Sequence, residues 1–477
     1  MNVTKYLKNL GHDTVPGSFY SLIDTWENWY RNSVKGFHTY RIYNGREHIS
    51  VKRYSLGMAK KASEDIADLL LNERVAIVAA DSRSDEFLQA VLKENKFLVT
   101  GNDYQERKAY TGTVAYIPYL NGIRVSEDGY LISGEGSLGI NFVSASNIYP
   151  LSWENSEITE CAFSFFKTVR GKQYANIQLH LIQMTDGQPE YVIENHVVEC
   201  TDGAGKEISM EKWKELPPFA SLRPKIHTGS DRRQFVIDRL NIVNNTSEDN
   251  PMGVALFANS LDQLRGLDTT YDSYVNEFVL GKKRVFVAPE IMAVNELGDP
   301  VFDPNDVVFY KLPEDTLKGD KPIVESNMEL RSDEHNKALN DGLNILSIKM
   351  GFGPKHYKFE QGNVTTATQV ISENSDMFRT LKKHEIILED VLKELARIIL
   401  WLGRALGNPL DPDTEITIDF DDSIIEDKQS ERQQDRQDVA MGAMTLLDYR
   451  IKWYQEDPEE AAKHITVDEA PPDDMEE

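Results

Sequence analysis

The sequence has few cysteines and none of the familiar catalytic signatures, and each absence removes a class of function. Only two cysteines occur in 477 residues, Cys161 and Cys200. Neither has a second cysteine at metal-ligand spacing, so the fold does not rest on a disulfide framework and suits a reducing compartment such as a cytoplasm. No stretch approaches the roughly 18 consecutive apolar residues of a membrane-spanning helix. The opening run MNVTKYLKNLGHD puts no apolar segment after its lysines, so neither a secretory signal nor a membrane partner is expected. A phosphate-cradling G-x-x-x-x-G-K-[ST], a nucleophile elbow G-x-S-x-G and a zinc-binding H-E-x-x-H are all missing. The expectation is a protein without enzymatic activity or cofactor, any ATPase it works beside being another chain.

Positive charge is scarce as well. The 52 Lys and Arg stand against 78 Asp and Glu, a formal charge of -26, and such a field repels a nucleic-acid backbone rather than gripping it. The last 57 residues, from Asp421, hold 18 of the acids against six basic residues and so contribute -12. They read as polar helices, KQSERQQDRQDVAMGAM and TLLDYRIKWYQ, that end in an acidic tail.

The chain is long enough for two or three domains, and its 40% apolar content supplies real cores. From Val3 to about Phe97 the apolar period is helical, with a short buried strand near Val75 to Ala80. From Lys108 to Glu199 the period is two: YANIQLHLIQM puts Ile177, Leu179 and Leu181 on one face, as in an antiparallel sheet. After a polar link, Leu216 to Ser230, a helix is expected from Pro251 to Leu280. Asn250 would cap it, Pro251 would take its first position, and Gly281 would end it. Its apolar stripe includes Val254, Phe257, Leu264 and Leu267.

An insert with short strands, RVFVAP and DVVFYKL, runs from Gly281 to about Asn327. A shorter helix follows at Ser332 to Met350, then the glycine-punctuated loop GFGPKHYKFEQGN, expected to be mobile. Asn363 to Leu406 reads as one helix roughly 60 Å long. Its first half carries a narrow stripe (Val370, Met377, Phe378, Leu381) and its second a broad one (Leu388 to Leu402), with a bend predicted near Lys383 to Glu385.

Several motifs have bland readings. GEGSLG, Gly134 to Gly139, fits G-x-G-x-x-G, but INFVSASNIYP after it reads as a strand and a turn, not the helix that dinucleotide binding requires. Asp419, Asp421, Asp422, Glu426 and Asp427 lack the central glycine and spacing of a calcium loop and read as a solvated acidic face. His180 and His196 stand alone in strands. Against the acidic background two basic clusters stand out: Lys282, Lys283 and Arg284 after the first helix, and Lys349, Lys355, His356 and Lys358 in or beside the glycine loop. The first suits a helix C-terminus. The second suits brief contact with a passing polyanion.

This order of elements, with four runs, resembles the portal proteins of tailed bacteriophages, in particular those of long-tailed phages of Gram-positive hosts. The runs are WENWYRNSVKGFHTY (Trp26 to Tyr40), SLGMAKKASEDIADLLLNERV (Ser55 to Val75), Asn250 to Val287, and TTATQVISENSDMFRT (Thr365 to Thr380). The resemblance covers nearly the whole chain.

It implies an α+β portal fold: a wing (residues 1–249, antiparallel sheet, and 365–420, long helix), two stem helices (250–280 and 328–350), a small α/β clip (281–327), a tunnel loop (351–364), and a helical crown with an acidic tail (421–477). It implies a homo-oligomeric ring of about twelve at one capsid vertex of the virion, assembled in the host cytoplasm, with double-stranded DNA passing through. The implied partners are the large terminase ATPase, head-completion proteins, and major capsid and scaffold proteins.

Carried onto this sequence, the resemblance implies a DNA-facing loop of Lys349, Gly351, Gly353, Pro354, Lys355, His356 and Lys358. Asp262, Asp268, Asp272 and Glu277 would line the stem wall, and Lys282, Lys283 and Arg284 the clip entry. Two other readings stay open: a metal-dependent enzyme using the cluster from Asp419 to Asp427, and a non-channel minor capsid or scaffold protein.

Overall fold

A computed structural model describes the chain except residues 44–45, 73, 127–128, 133–135, 186, 282–283, 288–308, 312–322, 327–328, 359–366, 421–427, 455 and 465–477. The class is mixed α+β with antiparallel sheets.

The period-two region forms the main sheet. Ile148–Glu154, Glu157–Val169, Lys172–Thr185 and Gln188–Glu199 pair in sequence order as a meander, all antiparallel. Alternation sends Ala175, Ile177, Leu179 and Leu181 to one face, where Val3, Tyr6 and Leu7 of the first helix, Val3–Asn9, cover them. The other face is covered too. His180 lies fully buried there, edge-on to Phe163 and Phe235 at ring distances of 5.4 and 5.3 Å.

Three elements differ from the sequence reading. A hairpin, Thr39–Tyr43 with His48–Lys52, interrupts the N-terminal helical region. The helix Phe97–Thr111 runs into the expected sheet region, and strands begin only at Thr113, after Gly112 ends the helix with φ +84°. The helix expected over Pro251–Leu280 spans Leu261–Leu280. Residues 250–257 are instead a buried, non-helical strap. Asn250 Oδ1 accepts the Met252 N–H, Gly253 N–H donates to Thr113 Oγ1, and Leu256 N–H donates to Ala109 O, so the backbone bonds that would begin a helix go to neighbouring elements. A Cβ at Gly253 would sit 2.2 Å from Gly112 O, which is why the strap passes there only as glycine.

The long helix runs unbroken over Ala367–Ala405, 39 residues. Its broad stripe is buried as the pattern predicts, with Leu388, Leu392 and Ile399 at zero exposure. It packs on strands Val236–Arg239, Thr113–Asn121 and Ile416–Asp419, and on helices Ser82–Glu94 and Met58–Leu70. At the predicted bend the helix stays regular, and the irregularity is one of partners. Asn241 Nδ2 donates to Lys383 O, and Asn241 N–H donates to His384 Nδ1.

Beside that point Lys108 and Asp238 form an ion pair with 1% and 0% side-chain exposure. Lys108 Nζ lies 2.9 and 3.1 Å from the two Asp238 oxygens, and Gln105 Nε2 and Tyr116 OH donate to Oδ2 at 2.7 and 3.2 Å. These residues belong to the helix Phe97–Thr111 and the strands Thr113–Asn121 and Val236–Arg239. Burial lowers the Lys108 pKa, opposed by Asp238.

Asp238→Asn leaves an ammonium buried without its counter-charge and is expected to cost about 3–5 kcal/mol. Lys108→Met with Asp238→Leu removes both charges and should recover most of that loss, as read by chemical denaturation. Burial also holds the His180 and His384 pKa values at about 3, the Lys108 and Lys383 charges adding to the effect at His384. As pH falls from about 6.5 toward 3, the unfolded chain binds protons that these folded imidazoles refuse. Stability therefore falls with pH, by up to about 1.4 kcal/mol per unit for each histidine. His384→Asn, which keeps an acceptor for Asn241, should flatten that acid limb by one proton's slope when unfolding is compared at neutral and acid pH.

Candidate nucleic-acid interface

Two helices, Leu261–Leu280 and Ser332–Lys349, flank the insert and pack on each other. Leu264, Leu267, Leu339, Leu343 and Leu346 are buried between them and the body. A Cβ at Gly342 would lie 2.7 Å from Leu267 Cδ2, so glycine sets the closeness of the pair. Leu264, only 3% exposed, packs into its own chain. Toward its far end the stripe is not covered: Phe278 and Val279 are 43% and 45% exposed.

Of the four acidic stem residues, two are buried. Asp268 takes the Leu56 N–H on Oδ1 at 2.9 Å and His38 Nε2 on Oδ2 at 3.1 Å. Since His38 Nδ1 accepts the Val34 N–H, Nε2 carries the proton and donates. Asp272 accepts the Tyr54 N–H at 3.0 Å and lies 3.7 Å from Arg53 Nη1. Arg53 is itself stacked over Phe37, at 4.5 Å, and Tyr40, at 5.0 Å. Both carboxylates face the segment 37–56 of their own chain. A wall reading for them meets this burial, and Asp262 is the one of the four that is exposed.

Glu277 holds Arg331 in a two-bonded pair, Nε to Oε1 at 3.1 Å and Nη2 to Oε2 at 2.8 Å, and the guanidinium holds the Glu277 carboxyl down to about 2. Glu277 ends one stem helix and Arg331 precedes the other, so the pair closes the neck of the insert. Just beyond it Arg284–Val287 pairs antiparallel with Ile323–Ser326 and parallel with Phe309–Lys311. Arg284 opens the first of these strands, and Lys282 and Lys283 lie outside the described residues.

Residues 351–358 are not a loose loop. Phe352 and Tyr357 are 2% and 9% exposed. Tyr357 OH donates to Asp65 Oδ2 at 2.8 Å and its N–H to Ser347 Oγ at 3.2 Å, while Lys355 N–H donates to Asn344 Oδ1 at 2.8 Å. His356 stacks on Phe352 at 4.8 Å. Gly351 and Gly353 have φ of +84° and +82°, so the glycines shape a tight turn rather than free it, and a Cβ at Gly351 would meet Thr380 Oγ1 at 2.6 Å. What the turn presents outward is Pro354, Lys355, His356 and Lys358. Lys349 lies back on the first stem helix, donating to Asn259 O and Gln263 Oε1, both at 3.1 Å. The rest of the loop, 359–366, lies outside the described residues.

Sequence reasoning missed Asp65, which sits on the helix Met58–Leu70 and is held below the usual carboxylate range. Its contacts with His356, Lys61 and Tyr357 outweigh an opposing burial. No local pattern links Asp65 to a residue 292 positions away. The two aromatics in the loop were the available sign of a buried root.

The other candidates stay structural. Gly139 lies in the strand Ser137–Ser144, and a short turn and another strand follow it, so no helix receives a dinucleotide. His196 Nδ1 bonds Glu207 at 2.9 Å. Asp419 ends the strand Ile416–Asp419, and Asp421, Asp422, Glu426 and Asp427 lie outside the described residues. Among the described residues no cluster of three metal-ligating side chains occurs, and no helix is long and apolar enough to cross a membrane.

Among curated proteins no match is found. The sequence profile described as "Phage portal protein, SPP1 Gp6-like" matches residues 18–470. That family consists of virion structural proteins of DNA packaging, not enzymes, so the metal-enzyme reading lapses. A helix pair around an insert, followed by a rooted basic turn and a long helix, and matched over nearly its whole length, the chain belongs to the SPP1 Gp6-like phage portal protein family.

Proposed function

We propose that the chain is one subunit of a ring of about twelve at the portal vertex, and that double-stranded DNA enters and leaves the capsid through its centre. The family supports an oligomeric ring and a DNA-passage role. In this reading the helices Leu261–Leu280 and Ser332–Lys349 are the stem and residues 281–327 the clip, where the large terminase and later the head-completion proteins dock. Residues 351–364 are the tunnel loop, residues 1–249 and 365–420 the wing, and residues 421–477 the crown, near the capsid and scaffold proteins.

The observation that carries the DNA-facing assignment is the turn itself. Lys355 and Lys358 are held outward on a buried root, at the end of a stem helix, in a chain of formal charge -26. A conduit must surround a polyanion without holding it, because each phosphate neutralised adds salt-sensitive affinity that movement has to overcome. Two lysines on a firm support give weak contacts at a defined radius. The acidic remainder, Asp262 on the stem included, keeps the wall from binding.

Negative-stain micrographs of the purified chain are expected to show rings with a central hole, and extended or monomeric particles would defeat the portal reading. Lys355→Glu with Lys358→Glu should leave the rings and the thermal midpoint unchanged, since neither substitution touches the Phe352 and Tyr357 root. The amount of DNA packaged or retained should fall severalfold. Packaging at the parent level would remove the case for DNA contact at this turn.

A further inference from the structure

A cleft of about 620 Å³ opens on the body between the hairpin turn at Asn155 and Ser156, the strand Val236–Arg239 and the long helix. Three arginines line it, and they are not equivalent. Arg233 is used within the chain, with Nη2 3.0 Å from Glu157 and Nη1 donating to Ile158 O at 2.9 Å. Arg239 and Arg397 are half-buried, and among the described residues no group hydrogen-bonds or ion-pairs with either guanidinium. Asp390 and Glu394 line the same cleft without pairing to them, and Lys393 is engaged by Glu389 at 2.5 Å.

A half-buried guanidinium has lost part of its hydration and holds its donors in a planar fork that a carboxylate matches with two bonds. The surroundings narrow the partner further. Close in sequence to the lining residues, Val243, four positions beyond Arg239, is 84% exposed, and Ile386, next to Ile387, is 60% exposed. Exposed aliphatic side chains beside arginine are the composition of a protein contact. A second copy of this chain supplies what is missing. Each copy carries -26, so packing copies side by side requires local placement of opposite charge.

We propose that the Arg239 and Arg397 cleft is a subunit-contact site, which takes a carboxylate from the adjacent copy in the ring while Val243 and Ile386 pack at its edge. This rests on the ring reading above. The contact is heterologous: the cleft of one copy meets a different, acidic face of the next.

The test uses the full chain as Arg239→Gln with Arg397→Gln and, separately, Val243→Asp. Assembly is followed by native mass spectrometry and sedimentation across a concentration and NaCl series. The double variant should need about ten- to a hundredfold more protein for half-assembly and lose part of the parent's salt dependence. Its thermal midpoint should stay near the parent's, because neither arginine has a bonding partner among the described residues. Val243→Asp, at an 84% exposed position that cannot disturb the core, should weaken assembly in the same direction. If both variants assemble at the parent's concentration and salt, the contact lies elsewhere and the proposal fails while the ring reading stands. A parent chain that stays monomeric throughout overturns both.

Discussion

The buried pair of Lys108 and Asp238 sits where three stretches distant in sequence converge: the helix Phe97–Thr111, the strand Val236–Arg239 and the long helix. Taking two charges out of water carries a desolvation cost of several kcal/mol per ion, repaid only by close geometry and full hydrogen bonding. The geometry here is close, and Gln105 and Tyr116 add two donors to the carboxylate. Such a pair tolerates one arrangement of its neighbours. It ties the helix Phe97–Thr111 to the strand Val236–Arg239, on which the long helix packs.

The stem is tied to that body by a second polar set. His38, Arg53 and two backbone N–H groups of the segment 37–56 hold Asp268 and Asp272. With the Phe352 and Tyr357 root on Asp65, the result is a stem anchored at its base along one side and at its loop end on the other. Residues 351–358 thereby become a firm projection. In the proposed reading, DNA moving past it pushes against the body through Asp65 and the helix Met58–Leu70, not against a slack tether.

Much of the scaffold was legible in the residues. The period-two run predicted the face of Ile177, Leu179 and Leu181, and the broad stripe of the long helix predicted the burial of Leu388 to Leu402, because local periodicity and burial report the same thing. Where the reading failed, the competing partner was remote. Asn250 and Pro251 look like a helix start, yet Thr113 and Ala109 take the backbone bonds of the strap, and Gly112 against Gly253 leaves no room for a helix with side chains. Asp268 and Asp272 look like a solvated face because carboxylates usually are. Only the fold brings His38 and Arg53 to them.

The sequence by itself determined the class, the order of elements, the family and the contrast between an acidic chain and a few lysines. Periodicity, composition and local runs are properties of neighbouring residues and survive without coordinates. Tertiary structure alone decided which charges face outward and which are consumed inside. It put Asp268 and Asp272 into internal bonds, left Lys355 and Lys358 exposed, and left the Arg239 and Arg397 forks unmatched among the described residues. A charge has the same letter in either place; its partners, which lie up to 292 residues away, set what it does.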